Sequence, residues 1–232
     1  GGQACDTGYI YSDNCTLEVV EVKKFQNIFA HKVKVVKGEL KVGDNVEAMP
    51  LAIARNMTAA NHTATHLLHK ALQEILGDHV KQSGSSVTKD GLRFDFNHFQ
   101  AMTDDEIKKV EDIVNNKIAH FIDVTTEEMS AKDAVKSGAT ALFGEKYGKT
   151  VRVVSIGDYS KELCGGTHVK NSGQIGSFKI LSESGVASGV RRIEAITGLG
   201  VLKKLNESEE LINSTADVLK SKRNLMTDKA GA

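Results

Sequence analysis

Between Ala52 and Leu76 apolar residues recur at helical spacing, through Ile53, Met57, Ala60, Ala64, Leu67, Leu68, Ala71, Leu72, Ile75 and Leu76. A stripe that broad has to be covered, so the fold must be built around this helix. Gly77 supplies its C-cap. The same helix carries His62 and His66, four residues apart and therefore on one face, one turn above the other. Two imidazoles so placed can share one Zn²⁺. About a hundred residues later, Cys164-Gly165-Gly166-Thr167-His168 offers a thiol and a third imidazole, and its paired glycines read as a tight turn rather than a helix. One Cys and three His form a donor set that favours zinc over magnesium or calcium. The competing reading is four unrelated residues, core histidines and a buried thiol. His69, seven after His62 and on nearly the same face, is a decoy or a supporting residue rather than a further ligand.

The chain has 232 residues, enough for one large domain or two small ones. Thirty basic residues balance thirty acidic ones, which argues against a protein that coats nucleic acid by charge alone and leaves room for a local basic patch. Three cysteines do not make a disulfide framework, so a reducing cytosol and a cytoplasmic location fit best. No apolar run is long enough to span a bilayer and no signal peptide is present, so no membrane partner is expected. The start at Gly1-Gly2-Gln3 without Met reads as a piece of a longer protein or a tag scar.

Residues 1–12 are dense in glycine and read as a loop whose backbone passes close to something, or as an ordinary turn. Thr16 to Lys24 and Ile28 to Val36 alternate apolar with polar and read as strands with one wet face; Asn45 to Met49 reads as another. Together they make a small β-unit, a partial barrel. Its lysines, among them Lys23, Lys24, Lys32 and Lys34, read as a solvated edge. After the helix, Lys89-Asp90-Gly91 predicts a hairpin between Ser85–Thr88 and Leu92–Phe96. Thr103 to Glu106 is a capping box that opens a helix reaching about Phe121. A strand over Asp123 to Met129, a short helix from Ser130 to Lys136, a charged loop at Leu142 to Gly148, a buried strand at Val151 to Ile156 and strands near Ser177–Ser182 and Val190–Ile196 follow. From Leu199 to about Leu225 the pattern is helical again, with a thin stripe like that of a connector.

The first histidine pair is His-x-x-x-His. The position that carries the general base in helical zinc proteases is Thr63, so that mechanism lacks its base. A four-ligand zinc can be purely structural, whereas a catalytic one needs an exchangeable position. Ligand count alone leaves both readings open.

Several stretches together resemble the editing domain of bacterial alanyl-tRNA synthetase: Asn61-His62-Thr63-Ala64-Thr65-His66-Leu67-Leu68-His69, Gln82-Ser83-Gly84-Ser85, Leu92 to Phe96, Ala141 to Gly148, Glu162 to His168 and Gly189 to Ala195. The opening Gly1-Gly2-Gln3 with Asp6 and Gly8 is similar to a loop that this family carries in the small β-barrel before its editing core. Cys5 departs from the family pattern, standing where a small residue, usually glycine, is expected. Cys5 and Cys15 read as free thiols. Free-standing editing proteins for alanyl-tRNA share the two metal motifs. Pattern and resemblance together give an α+β fold. It comprises a small β-barrel-like subdomain (1–52), a zinc-binding core with a mainly antiparallel sheet and packed helices (53–198), and a linker helix (199–232) toward a C-terminal domain.

The resemblance implies an aminoacyl-tRNA deacylase, an ester hydrolase that removes serine or glycine from mischarged alanine tRNA, within a parent chain that would be an alanine-tRNA ligase. Its partners would be the acceptor end of that tRNA and the rest of the synthetase in cis. The cofactor would be one Zn²⁺ on His62, His66, Cys164 and His168, and it would either activate water or orient the terminal ribose and ester. Gln82, with Cys164 and His66, is implied in catalysis, placing the aminoacyl group or the water. Thr63, Thr65, Ser83 and Ser85 are hydroxyl candidates for reading serine. Arg191 and Arg192 are candidates for phosphate contact, with a salt bridge to Glu194 or elsewhere as the rival reading. A free-standing editor and a tRNA-binding module with purely structural zinc are the alternatives.

Overall fold

The computed structural model describes residues 2–26, 28–140 and 149–226. The expected loop at Leu142 to Gly148 lies outside them.

The first sheet is antiparallel, in the order β3 (Ile28–Lys37), β2 (Thr16–Phe25), β1 (Gly8–Tyr11), β4 (Glu47–Pro50). It is open: among the described residues β3 and β4 are its edges and do not pair, so the barrel does not close. β1 stands where the glycine-rich loop was expected. Four residues are too few for a readable alternation, yet β1 is an inner strand, and a Cβ at Gly8 would collide with the Met49 carbonyl of β4. The single wet face holds for β2, where Leu17 and Val19 are buried. It fails for β3, which is exposed along nearly its whole length, with Ile28 69% and Phe29 60% exposed.

Helix α1 spans Ala52–Leu76, the range its periodicity gives. It packs with α2 (Asp104–Ala119) against a second antiparallel sheet, ordered β10 (Phe178–Ala187), β11 (Val190–Thr197), β6 (Leu92–Asn97), β5 (Gln82–Val87). Leu67, Leu68 and Leu72 of α1, Val110 and Val114 of α2, Phe94 and Phe96 of β6 and Ile193 of β11 form one contiguous core. The capping box of α2 is formed in both directions between Thr103 and Glu106. The middle of α1 also buries Asn61, His62, Thr63, Thr65, His66 and His69, which is unusual for polar groups and requires partners for each. Asn61, for example, donates to the Thr88 carbonyl at 2.9 Å and accepts from Thr197 Oγ1 at 2.7 Å, fixing the helix to the sheet at both ends of its amide.

A third antiparallel sheet holds β7 (Val124–Ser130), β8 (Thr150–Ile156) and β9 (Ser160–Leu163), with α3 (Ala131–Lys136) against it. The sequence reading has no counterpart for β9. It is a short strand of mixed character, and it delivers Glu162 and Cys164 to the face of α1. The last helix, α4, covers Leu199–Val218 and stops before Leu225; Lys220 turns left-handed (φ 49°) and a 3₁₀ turn, Arg223–Leu225, follows. Its thin stripe faces solvent, with Leu202 52% and Leu205 57% exposed. Among the described residues no helix is long and apolar enough to cross a membrane.

Candidate metal centre

His62 and His66 on α1 meet Cys164 and His168 on the turn after β9. One ligand atom from each lies within 4.8 Å of all the others. Cys164 Sγ is 3.4 Å from His62 Nε2 and 3.3 Å from His168 Nε2. The His62 and His168 rings are 4.4 Å apart, those of His66 and His168 5.0 Å. Among the described residues no other such group of His, Cys, Asp and Glu occurs; Cys5 and Cys15 are free thiols outside it.

Hydrogen bonds behind the rings decide which nitrogens face inward. His66 Nδ1 lies 2.9 Å from Glu162 Oε2. An ionised carboxylate only accepts, so the proton is on that nitrogen. Gln3 Oε1 accepts from the Thr167 backbone N–H at 2.8 Å, which identifies it as the amide oxygen, so His62 Nδ1, 2.7 Å away, donates to it. Thr63 Oγ1 donates to the Ala59 carbonyl at 3.0 Å, and so accepts from the Val169 N–H at 3.2 Å and from His168 Nδ1 at 3.1 Å. All three imidazoles thus give their Nδ1–H to an oxygen outside the cluster and leave Nε2 as the nitrogen free to face the centre, that of His62 and of His168 lying beside the Cys164 sulfur. Fixing a ligand ring through its other nitrogen is how proteins orient histidines on a metal.

Burial would raise the Cys164 thiol, but hydrogen bonds from His168, His62 and His66 bring it down to about 3. Burial likewise disfavours a charged His66, yet Glu162 and the thiolate raise it to about 10. Burial pushes His168 down to about 4. Burial would also raise the Glu162 carboxyl; the charge of His66 and hydrogen bonds from His66 and His69 outweigh it and hold the carboxyl well below the usual carboxylate range. A thiolate with three inward nitrogens suits a divalent cation, and the Cys-His₃ composition fits Zn²⁺.

The loop itself is shaped for this. A Cβ at Gly166 would collide with the His62 ring, whereas one at Gly165 would meet nothing within 4 Å. Arg152 Nη1 on β8 donates to the Cys164 and Gly166 carbonyls at 3.0 and 2.5 Å, stapling the turn. His69 lies behind the cluster, its Nδ1 3.2 Å from Glu162 Oε1.

His62, His66 and Cys164 open onto a cavity of about 490 Å³, which Thr65, Gln82 and Ser85 also line; His168 lies outside its lining. A register shift between Gln82 and Gly84 interrupts β5 beside that wall. Ser83 is exposed and donates to Asn97 Oδ1, and Thr63 is occupied behind His168; neither lines the cavity. Arg191 and Arg192 do not line it either. Each guanidinium is held by a carboxylate, Arg191 by Glu183 at 2.5 and 2.6 Å and Arg192 by Asp95 at 2.7 and 2.8 Å. The partners are Glu183 and Asp95, so the rival salt-bridge reading is the one realised, though not with Glu194. Gln3, Glu162 and Arg152 escaped the sequence reading as site residues, because their roles come from chain segments far apart in sequence.

Residues 151–194 match the model of the threonyl and alanyl tRNA synthetase second additional domain, and residues 1–50 match that of the class II (A) tRNA synthetases. The chain is thus built from synthetase-type modules, with the four-ligand cluster in the additional domain and on the helix before it. The alanine–tRNA ligase of Alkaliphilus oremlandii is 54% identical over 222 residues, 95% of this chain and 25% of that protein. Those of Thermoanaerobacter sp. and Clostridioides difficile are 53% and 52% identical over a similar span. The chain belongs to the alanine–tRNA ligase family, as a segment spanning about a quarter of the length of the curated relatives it matches.

Proposed function

We propose that this segment is the editing part of an alanine–tRNA ligase and hydrolyses the ester of serine or glycine on mischarged alanine tRNA. The observation that carries the reading is the convergence of His62, His66, Cys164 and His168, the first three of them at the wall of a cavity that Thr65, Gln82 and Ser85 line beside Lys24 and Glu162. A synthetic pocket for alanine rejects glycine or serine by only about 1–3 kcal/mol, so a hydrolytic second site has a task to perform. That site must favour a serine hydroxyl and leave alanine alone. Polar groups suit it, because a buried donor or acceptor that alanine cannot satisfy is penalised.

Zn²⁺, when bound to these four residues, supplies Lewis acidity beside the cavity. Gln82 places the aminoacyl group or the attacking water. Thr65 and Ser85 offer hydroxyls to a serine side chain. Thr63 holds His168 instead. The acceptor end of the tRNA, the rest of the synthetase in cis and a cytoplasmic setting complete the proposal. Residues 1–52, 53–198 and 199–232 would serve as β subdomain, editing core and linker.

One observation favours a second reading. Four protein ligands are the complement of a closed structural zinc site, which would make the segment a tRNA-binding module. Deacylation of seryl-, glycyl- and alanyl-tRNA, with and without chelator, separates the two. Editing predicts loss of seryl and glycyl turnover in a chain that stays folded without metal. Melting on chelation, or equal rates on all three substrates, rejects it. A Cys164→Ala chain that keeps full zinc and full deacylation ends the ligand assignment.

A further inference from the structure

The metal ligands and two of the three oxygens that orient them come from α1 and from β9 with the turn after it, but the third oxygen does not. Gln3 belongs to the segment leading into the first sheet. Its place is set by the backbone on both sides: Val87 N–H donates to the Gly2 carbonyl at 2.7 Å, and Ala4 N–H donates to the Val87 carbonyl at 2.8 Å, in parallel pairing with β5. Gly2 permits that approach, since a Cβ there would stand 2.5 Å from the Ser85 carbonyl oxygen. The side chain reaches into the centre and is used at both ends of its amide. Oε1 accepts from His62 and from the Thr167 N–H, and Nε2 lies 3.3 Å from Thr167 Oγ1. A Cβ at Gly166 would come within 2.7 Å of Oε1, so the loop can close over His62 only with glycine there.

Resting on the assignment of the four ligands to a metal, we infer that Gln3 is a positioning residue of the centre: its carbonyl oxygen selects the His62 tautomer with Nε2 facing the metal and ties the Cys164–His168 turn to the segment that enters the first sheet. Metal affinity is therefore set partly by a residue outside both ligand motifs. The acceptor oxygen matters, not the charge or the bulk. An amide oxygen there accepts two N–H groups at once, and no other acceptor oxygen lies within hydrogen-bond distance of His62 Nδ1 among the described contacts.

The test is zinc affinity by chelator competition on the whole chain. Gln3→Met keeps the length and removes the acceptor; affinity falls about 10–100-fold, as for other residues that orient a ligand. Gln3→Glu keeps an acceptor and retains near-original affinity. A packing role alone would predict the reverse order, because methionine preserves the shape. A readout that needs no variant is the ¹⁵N spectrum of the histidine side chains in the metal-free chain, where His62 carries its proton on Nδ1. Unchanged zinc affinity in Gln3→Met, or the His62 proton found on Nε2, overturns the inference. Neither measurement involves tRNA. A chain that loses zinc on Gln3→Met yet never hydrolyses seryl-tRNA sinks the editing reading alone; one that edits with Gln3→Met unaltered in zinc affinity sinks this inference alone.

Discussion

Glu162 Oε2 stands 2.9 Å from His66 Nδ1, both side chains buried, with the other carboxylate oxygen 3.2 Å from His69 Nδ1. One carboxylate thus holds a ligand and the residue behind it. The ligand is aimed at the centre because the carboxylate can only accept, and His69 is kept from the metal because its Nδ1–H points the same way.

Glu162→Gln leaves one acceptor oxygen for two imidazole N–H groups and brings an NH₂ against one of them. Zinc affinity is expected to drop about 10–100-fold, read by chelator competition. An affinity equal to that of the unsubstituted chain would refute the role.

The two glycines of the turn are not equivalent. Gly166→Ala puts a methyl into the His62 ring, whereas Gly165→Ala places one where nothing lies within 4 Å. Gly166→Ala is expected to lose zinc and lower the thermal midpoint, and Gly165→Ala to bind zinc normally. Equal effects in calorimetry and zinc titration would contradict the geometry.

The Arg192 guanidinium holds the Asp95 carboxyl below its ordinary value of 3.8, against the opposing effect of burial and with help from Arg93. A depressed folded value means the stabilisation is complete above 3.8 and disappears as pH falls through the lower folded value. The midpoint gap between the unsubstituted chain and Asp95→Asn should be full near neutrality and shrink only below about pH 4. A gap that persists in strong acid, or one already closing near neutrality, would rule out the pair as its source.

Removal of a phosphate contact lowers the log–log salt slope of tRNA binding by about one. Arg192 is occupied by Asp95, so Arg192→Ala should lower the thermal midpoint and leave that slope unchanged. A slope reduced by about one would return Arg192 to the phosphate.

Local signals were readable wherever one element satisfied itself. The α1 stripe, the Thr103–Glu106 cap and the Gly91 hairpin each depend on residues within a few positions, and each element stands where its pattern lies. Strands β1 and β9, four residues each, escaped because so short a run carries no period. β3 has the alternation of a half-buried strand yet lies exposed, since burial depends on what covers a face and not on the pattern along it.

By itself the chain determined the donor chemistry: imidazoles one helical turn apart, a thiol and imidazole joined by glycines, and hence the kind of ion they suit. Helical geometry fixes the first pair and glycine frees the second, and both are properties of a few neighbouring residues. Only the tertiary structure decided that Gln3, Glu162 and Thr63 supply the oxygens behind the rings, that Thr63 serves His168 rather than the cavity, and that Arg191 and Arg192 are held by carboxylates. A hydrogen bond is made at about 3 Å between groups that, here, lie up to 164 residues apart in the chain, so it exists only once the sheets have brought them together.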